Sequence, residues 1–190
     1  MRARILPRLC REAGFTLIET MLVVGLIGVG TGMSVMMMPG ALVSARANSG
    51  AARVVSVLRV AREQAIAQRR NIRVQFVAPN RIVVSRVEVP GPGVTEISSV
   101  LLEDGVTFQL MAGLPDTPDA FGNATAASFG IATTVAFTSE GSFVDQNGDP
   151  ANGTAFLGRA NQPLSARAVS LYGPTALIHE WRWTGTRWAQ

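Results

Sequence analysis

The stretch "REAGFTLIETMLVVGLIG", from Arg11 to Gly28, decides the fold because it opens a long apolar segment that contains one carboxylate. That carboxylate is Glu19, and no charged residue follows it between Thr20 and Ala45. A helix needs ~20 apolar residues to cross the hydrocarbon core of a bilayer. An ionisable side chain within such a helix costs at least ~2.5 kcal/mol on insertion. The sequence therefore predicts a membrane-spanning helix over residues 15–41, in which Glu19 must have a specific role.

The charges around this segment predict its orientation. The chain has 190 residues and a net charge of +4, and all 17 basic residues are arginines. Four of these arginines lie in residues 1–14, which is typical of a cytoplasmic N-terminus before a membrane span. The rest of the chain holds 13 arginines against 12 acidic residues, a balance that gives little support to nucleic-acid binding. The only cysteine, Cys10, lies in the same leader, so the remainder can form no disulfide.

Three interpretations of the N-terminus follow from this pattern. An ordinary secretory signal peptide would be cut after "VSA", residues Val43–Ala45, and a signal anchor would stay uncut. Neither interpretation explains Glu19, because a buried carboxylate improves neither the apolar region of a signal peptide nor a membrane anchor.

The third interpretation rests on "GFTLIE", residues Gly14–Glu19, which closely resembles the cleavage and methylation motif of type IV prepilins. The resemblance implies that a prepilin peptidase, also the N-methyltransferase, removes residues 1–14 by cutting between Gly14 and Phe15. Phe15 would then carry a methylated amine one helical turn from Glu19. In a bundle of such helices, Glu19 can pair with its own amine or with that of a neighbouring subunit. Such a pair would fix the register of assembly rather than add stability.

Helical patterning continues over residues 42–71 as an amphipathic helix. Apolar residues recur there at helical spacing and form one narrow stripe of mostly small side chains: Ala51, Val54, Leu58, Ala61 and Ala65. Such a stripe predicts close packing of a sheet against the helix. Pro39-Gly40 is expected to bend or loosen the helix between its two halves.

From Ile72 onward the pattern predicts a β domain over residues 72–190. "IRVQFV" (72–77), "APNR" (78–81) and "IVVSRVEV" (82–89) are typical of a hairpin, which "PGPG" ends. Further predicted strands cover 100–102, 107–111, 133–138, 154–158, 166–172 and 176–183, with loops at 113–128 and 145–153. A long N-terminal helix followed by antiparallel strands predicts an α+β fold.

Three segments resemble the GspH/FimT family of minor pilins and pseudopilins: the end of the helix with the first strand, Leu58–Phe76, and two segments of the β domain, Thr133–Val144 and Ala168–Trp181. The resemblance implies a pilin-like fold whose helix packs on the sheet. It also implies a minor subunit of a type II secretion pseudopilus or a type IV pilus, with other pilin subunits and inner-membrane lipid as partners. The protein would cross the inner membrane once, with its C-terminal domain in the periplasm.

The sequence offers little support for catalysis, cofactor binding or metal binding. His179 is the only histidine, and the alternating stretch "LIHEW" predicts that it is a satisfied or exposed strand residue. No motif for nucleophilic or phosphate chemistry is present, so we expect no enzyme. "DQNGDPANG", residues Asp145–Gly153, lacks the glutamate and the spacing of a calcium loop and predicts a turn instead.

The C-terminal stretch "EWRWTGTRWAQ" combines aromatic and basic residues: Trp181, Arg182, Trp183, Arg187 and Trp188. Three interpretations are open: the tryptophans cover the core, they contact another subunit, or they stack on single-stranded DNA. In DNA-uptake members of the family, a C-terminal Gly-Arg-x-Arg element is associated with DNA binding. Pro174 stands here where that arginine is expected, which counts against DNA binding. A DNA-binding minor pilin for natural transformation is therefore the alternative function, and a structural subunit is the main one.

Overall fold

The computed structural model describes residues 15–91, 93–129 and 134–190; the side chains of residues 34–39 are also outside its description. The chain divides into two compact units, Met1–Gly40 and Ala41–Gln190. The predicted leader, residues 1–14, lies outside the described residues.

One helix, α1, runs from Leu17 to Gln68, close to the predicted limits of the two helical segments taken together. Among the residues whose side chains are described, no helix is long and apolar enough to cross a membrane. The predicted span of residues 15–41 includes residues 34–39, whose side chains lie outside the described part. That span stays a prediction.

The predicted stripe on the second half of α1 is buried, each member being at most 1% exposed: Ala51, Val54, Leu58, Ala61 and Ala65. The opposite face, which includes Arg53, Arg59 and Glu63, is exposed. Gly50 shows how closely the β domain approaches, because a Cβ at this position would lie 2.9 Å from Val106 Cγ1 and 3.4 Å from Leu157 Cδ1. Small side chains therefore let the helix and the strands come into contact, as the pattern predicted.

The strands form two antiparallel sheets in the second unit. Their bounds are β1 Ile72–Val77, β2 Arg81–Val87, β3 Val94–Leu101, β4 Thr107–Phe108, β5 Ala127–Ser128, β6 Val135–Phe137, β7 Phe143–Val144, β8 Gly153–Gly158, β9 Arg167–Tyr172, β10 Leu177–Trp183 and β11 Trp188–Ala189. Sheet A has the order β3-β2-β1-β6-β7. Sheet B has the order β11-β10-β9-β8-β4, with β5 also paired to β8.

The predicted hairpin of β1 and β2 is confirmed. The two strands pair antiparallel, with Ile72 opposite Arg86 and Val77 opposite Arg81. Strand β3 is longer than predicted: it begins at Val94 rather than at residue 100, because pairing with β2 orders a polar, exposed segment that lacks apolar alternation. The predicted strand over 107–111 ends at Phe108. The two-residue strands β5 and β11 were not predicted, since so short a segment carries no periodicity.

Two hydrophobic clusters occupy opposite faces of sheet B. The larger one joins the stripe of α1 to both sheets and includes Phe137, Phe143, Leu157 and Leu171. The second cluster lies on the other face and combines Phe156, Ala166, Ala168, Trp181, Trp183 and Trp188 with Leu110, Met111 and Leu114. Both faces of β8 and β9 are covered, which explains why these strands are buried almost throughout. The predicted α+β class, a long N-terminal helix packed on antiparallel strands, is confirmed.

Candidate functional site

Two of the predicted site residues lie at the start of the described chain: Phe15 precedes α1 by two residues, and Glu19 is in its first turn. The backbone N–H of Glu19 donates to Thr16 Oγ1 at 3.3 Å, and that of Thr20 donates to the Thr16 carbonyl at 3.1 Å. Thr16 is therefore the N-cap, and "TLIE" has the Thr-x-x-Glu spacing of a capping box. The negative charge of Glu19 also suits the positive end of the helix dipole. Gly14, on the other side of the predicted cleavage site, lies outside the described residues.

The apolar side chains that follow are exposed in the isolated chain. Phe15 is 77% exposed, and the large apolar residues after it are 45–77% exposed: Leu17, Ile18, Met21, Leu22, Val23, Val24, Leu26, Ile27, Val29 and Met33. They occur on every side of the helix rather than on one stripe. A helix that is apolar all round is stable only when lipid or other protein surrounds it. Glu19 thus projects from a surface that no other part of the described chain covers.

The three C-terminal tryptophans do not form an exposed platform. Trp181, Trp183 and Trp188 are 8%, 9% and 7% exposed. The rings of Trp183 and Trp188 meet edge to face at 5.3 Å, and Trp188 Nε1 donates to the Pro115 carbonyl at 2.9 Å. Their burial agrees with the interpretation that they cover the core.

The two arginines of the same segment, Arg182 and Arg187, are exposed. The structure therefore separates the five residues grouped by the sequence, with the rings turned inward and the guanidinium groups outward. A contact role for Arg182 and Arg187 stays a prediction, whereas stacking of bases on these buried indoles conflicts with the geometry.

Asp119 is the acceptor at the centre of a polar cluster on the tryptophan-bearing face of sheet B. It accepts hydrogen bonds from Ser170 Oγ, from Trp181 Nε1 at 3.0 Å and from His179 Nδ1 at 3.1 Å. Burial acts to raise the pKa of Asp119, but hydrogen bonds from Ser170, His179 and Trp181 outweigh it and lower that pKa. His179 is thus satisfied, and the carboxylate ties the loop before β5 to the sheet.

Sequence reasoning missed Asp119 but held a partial signal for its partners. His179 and Trp181 lie two apart on one strand face, and Ser170 is opposite His179 in the register of β9 and β10. Nothing in the sequence indicates which loop carboxylate meets them, since Asp119 lies 51 residues from Ser170.

Arg167 is a second residue that the sequence did not indicate. It is 1% exposed, and its guanidinium donates to Ser44 Oγ and Asn48 Oδ1 of α1 and to the carbonyls of Leu164 and Ala166, at 2.7–3.1 Å. Burial lowers the pKa of Arg167. Because all these acceptors are neutral, the guanidinium acts as a hydrogen-bonding clamp between β9 and α1 rather than as half of an ion pair.

The Asp145–Gly153 segment forms the predicted turn. Asp145 Oδ1 accepts from the backbone N–H groups of Asn147 at 2.8 Å and Asp149 at 3.0 Å. The carboxylate is occupied in holding the turn. Within residues 15–91, 93–129 and 134–190, no group of three or more histidine, cysteine, aspartate or glutamate residues is placed to hold a metal ion.

The family model of the prokaryotic N-terminal methylation motif matches residues 9–35. The match confirms the predicted prepilin-type N-terminus. A comparison with curated protein sequences gives no match.

Two solved structures are similar to this chain at low sequence identity. The minor pseudopilin EpsH of the Vibrio cholerae type 2 secretion system is 12% identical, covering 72% of this chain and 97% of its own, with a TM-score of 0.49. The type IV minor pilin FimU of Pseudomonas aeruginosa is 17% identical, covering 75% of this chain and 92% of its own, with a TM-score of 0.49.

Proposed function

We propose that this chain is a minor pseudopilin or minor pilin, a structural subunit of a type II secretion pseudopilus or of a type IV pilus. The observation that carries the proposal is the start of α1, where the methylation motif leads directly into a helix whose apolar side chains are exposed on every side. An exposed apolar surface of this kind marks a region that packs against other chains or lipid.

The proposed assembly has two stages. Before incorporation, residues 15–41 reside in the inner membrane, with the second unit on the periplasmic side. On incorporation, the same helix packs among the helices of other subunits, and Glu19 faces the methylated amine of Phe15 of its own or a neighbouring chain. An isolated carboxylate or amine would be heavily penalised in that apolar interior, so the pair fixes the axial position of the subunit.

A DNA-binding minor pilin is the weaker alternative. Single-stranded DNA binding combines basic side chains with exposed aromatic rings. Arg182 and Arg187 are exposed, but the neighbouring tryptophans are buried, and no other observation favours this function.

The test is the mature N-terminus. We expect mass spectrometry of the protein purified from membranes to show a chain that begins with N-methylated Phe15, and expect residues 1–14 to be missing. A chain that begins at Arg46 would identify an ordinary signal peptide and overturn the proposal. A chain that retains residues 1–14 in cells containing an active prepilin peptidase would do the same.

A further inference from the structure

The tryptophan-bearing face of sheet B also carries a small cleft. Four of its lining side chains come from β9 and β10 and two from the loop before β5: Ser170, Tyr172, Leu177, His179, Asp119 and Phe121. The four strand residues share one face, because Ser170 is opposite His179 and Tyr172 is opposite Leu177 in an antiparallel pair. The cleft has a volume of about 200 Å³. Sites for whole small-molecule ligands measure ~300–1,000 Å³, so this cleft has the size for one side chain of another protein.

Asp119 gives the cleft a negative charge. Burial alone would raise the pKa of Asp119, but hydrogen bonds from Ser170, His179 and Trp181 outweigh it and lower that pKa, so the carboxylate is ionised at neutral pH. Within the described residues, the only basic side chain at ion-pair distance from Asp119 is His179. No arginine of the described chain therefore neutralises this carboxylate.

The two oxygens of Asp119 are not equally occupied. Oδ2 accepts hydrogen bonds from Ser170 Oγ, from Trp181 Nε1 at 3.0 Å and from His179 Nδ1 at 3.1 Å. In the described part of the chain, Oδ1 accepts only from His179 Nδ1, at 3.2 Å, a donor that it shares with Oδ2. A carboxylate oxygen has two lone pairs, so Oδ1 can accept from a further donor.

Aromatic and apolar side chains form the rest of the wall. The rings of Phe121 and Tyr172 are 6.4 Å apart and within 21° of parallel. Tyr172 is 42% exposed, and Leu177 opposite it is 52% exposed. Aromatic rings attract cations, most often guanidinium groups, and apolar surface covers the methylene stem of a long basic side chain. The wall and the carboxylate therefore suit the same kind of ligand, a cation on an apolar stem.

We propose that this cleft receives the side chain of an arginine from a partner protein, with the guanidinium donating to Asp119 Oδ1 and lying against the ring of Tyr172. Arginine fits better than lysine, because its planar guanidinium stacks on rings and is more weakly hydrated than an ammonium group. Phosphates of nucleic acids or lipids carry the same sign of charge as Asp119 and would be repelled. None of the described residues that line the cleft belongs to α1, so the inference does not depend on the proposed function.

Nuclear magnetic resonance of the tryptophan indole N–H groups tests the site in the full-length protein, held in uncharged detergent micelles at pH 8. The probe is N-acetyl-arginine amide. Trp181 Nε1 donates to Asp119 and Ser170 and therefore reports on the cleft, whereas Trp188 Nε1 donates to the Pro115 carbonyl and serves as an internal control. We expect the Trp181 signal to shift saturably with a Kd of ~1–10 mM, while the Trp188 signal stays in place.

A matched probe and matched variants separate charge from shape. N-acetyl-citrulline amide has nearly the shape of the arginine probe but no charge, and we expect it to bind at least ~10-fold more weakly. Asp119→Asn should weaken binding of the arginine probe by a similar factor. Tyr172→Ala should weaken it ~3-fold or more, whereas Tyr172→Phe, which keeps the ring, should bind within ~2-fold of wild type.

Asp104→Asn removes an equal charge from an exposed position away from the cleft and should leave the Kd unchanged. The Trp188 signal of each variant shows whether its fold is retained. Equal affinities for the arginine and citrulline probes would overturn the proposal. The absence of a saturable Trp181 shift, or undiminished binding by Asp119→Asn, would overturn it as well.

Discussion

The two halves of α1 belong to one continuous helix but present opposite surfaces. From Leu17 to Met33 the helix exposes large apolar side chains on all sides. From Ala41 to Gln68 it buries one stripe of mostly small residues and exposes arginines on the opposite face. Helix propensity alone does not explain the difference, since both halves form the same backbone structure.

The difference shows what each half packs against. The second half meets a sheet of its own chain, so its apolar residues are confined to the contact and are small enough for close approach. The apolar residues of the first half are not confined to one face, and the described part of the chain does not cover them. Changes in the first half should therefore affect assembly and leave folding intact, whereas changes in the second half should affect folding.

Glu19→Leu is the strongest test of the first half. Leaving the Phe15 amine without its counter-charge in an apolar filament should cost ~3–5 kcal/mol, which corresponds to at least ~100-fold less incorporation. Leader cleavage and the unfolding temperature of the second unit should not change. The amount of the protein in purified pili or pseudopili, against that in membranes, measures the effect.

Glu19→Gln separates the two roles of this residue. Glutamine also suits the capping box with Thr16 but carries no charge. We expect Glu19→Gln to be incorporated almost as poorly as Glu19→Leu. Normal incorporation of the glutamine variant would show that helix capping is sufficient and that charge pairing is not required.

Arg167→Met tests the clamp that holds the second half. Methionine fills a similar volume but leaves the carbonyls of Leu164 and Ala166 and the side chain of Asn48 without their buried donor. The Ala166 carbonyl is buried, and an unsatisfied buried group costs ~1–3 kcal/mol, so we expect the free energy of unfolding to fall by up to ~3 kcal/mol. Urea unfolding measures this change, and a loss below ~1 kcal/mol would show that the clamp contributes little.

Overpacking of the stripe should have a smaller effect. Ala61 is fully buried, and Ala61→Leu should cost ~1–3 kcal/mol because the added atoms push the helix from the sheets. Val60 is the matched control, since it is 46% exposed, and Val60→Leu should change stability by less than ~0.5 kcal/mol. Thermal unfolding compares the two, and equal shifts would contradict the packing of this stripe.

The same contrast explains how far the sequence could predict the structure. Periodicity identified the stripe of α1 and the β1–β2 hairpin because local spacing decides which face is apolar. The prepilin-type motif predicts roles for Phe15 and Glu19 from their order along the chain, and those roles stay predictions.

Long-range contacts could not be predicted in this way. Alternation placed Trp181 and Trp183 on one strand face, but it could not show that a preceding loop would cover that face. The bond between Asp119 and Trp181 joins residues 62 positions apart, and the clamp from Arg167 to Asn48 joins residues 119 apart. No local pattern specifies such partners.

Asp119→Asn tests that covering loop, with the smallest expected effect. Hydrogen bonds to a charged acceptor contribute more than those to a neutral one, so the variant should lose ~1 kcal/mol at pH 7. The pKa of Asp119 is lowered in the folded state, so its contribution is complete above the ordinary value of 3.8 and is lost as pH falls through the lowered one. The stability difference between wild type and Asp119→Asn should therefore shrink as pH falls below 3.8. Urea unfolding of both proteins between pH 7 and pH 3 measures this difference in stability.

Asp104→Asn is the control, because Asp104 is exposed and makes no hydrogen bond with any side chain in the described residues. A difference that is unchanged at pH 3 would show that the ionised carboxylate is not what holds the loop on the sheet.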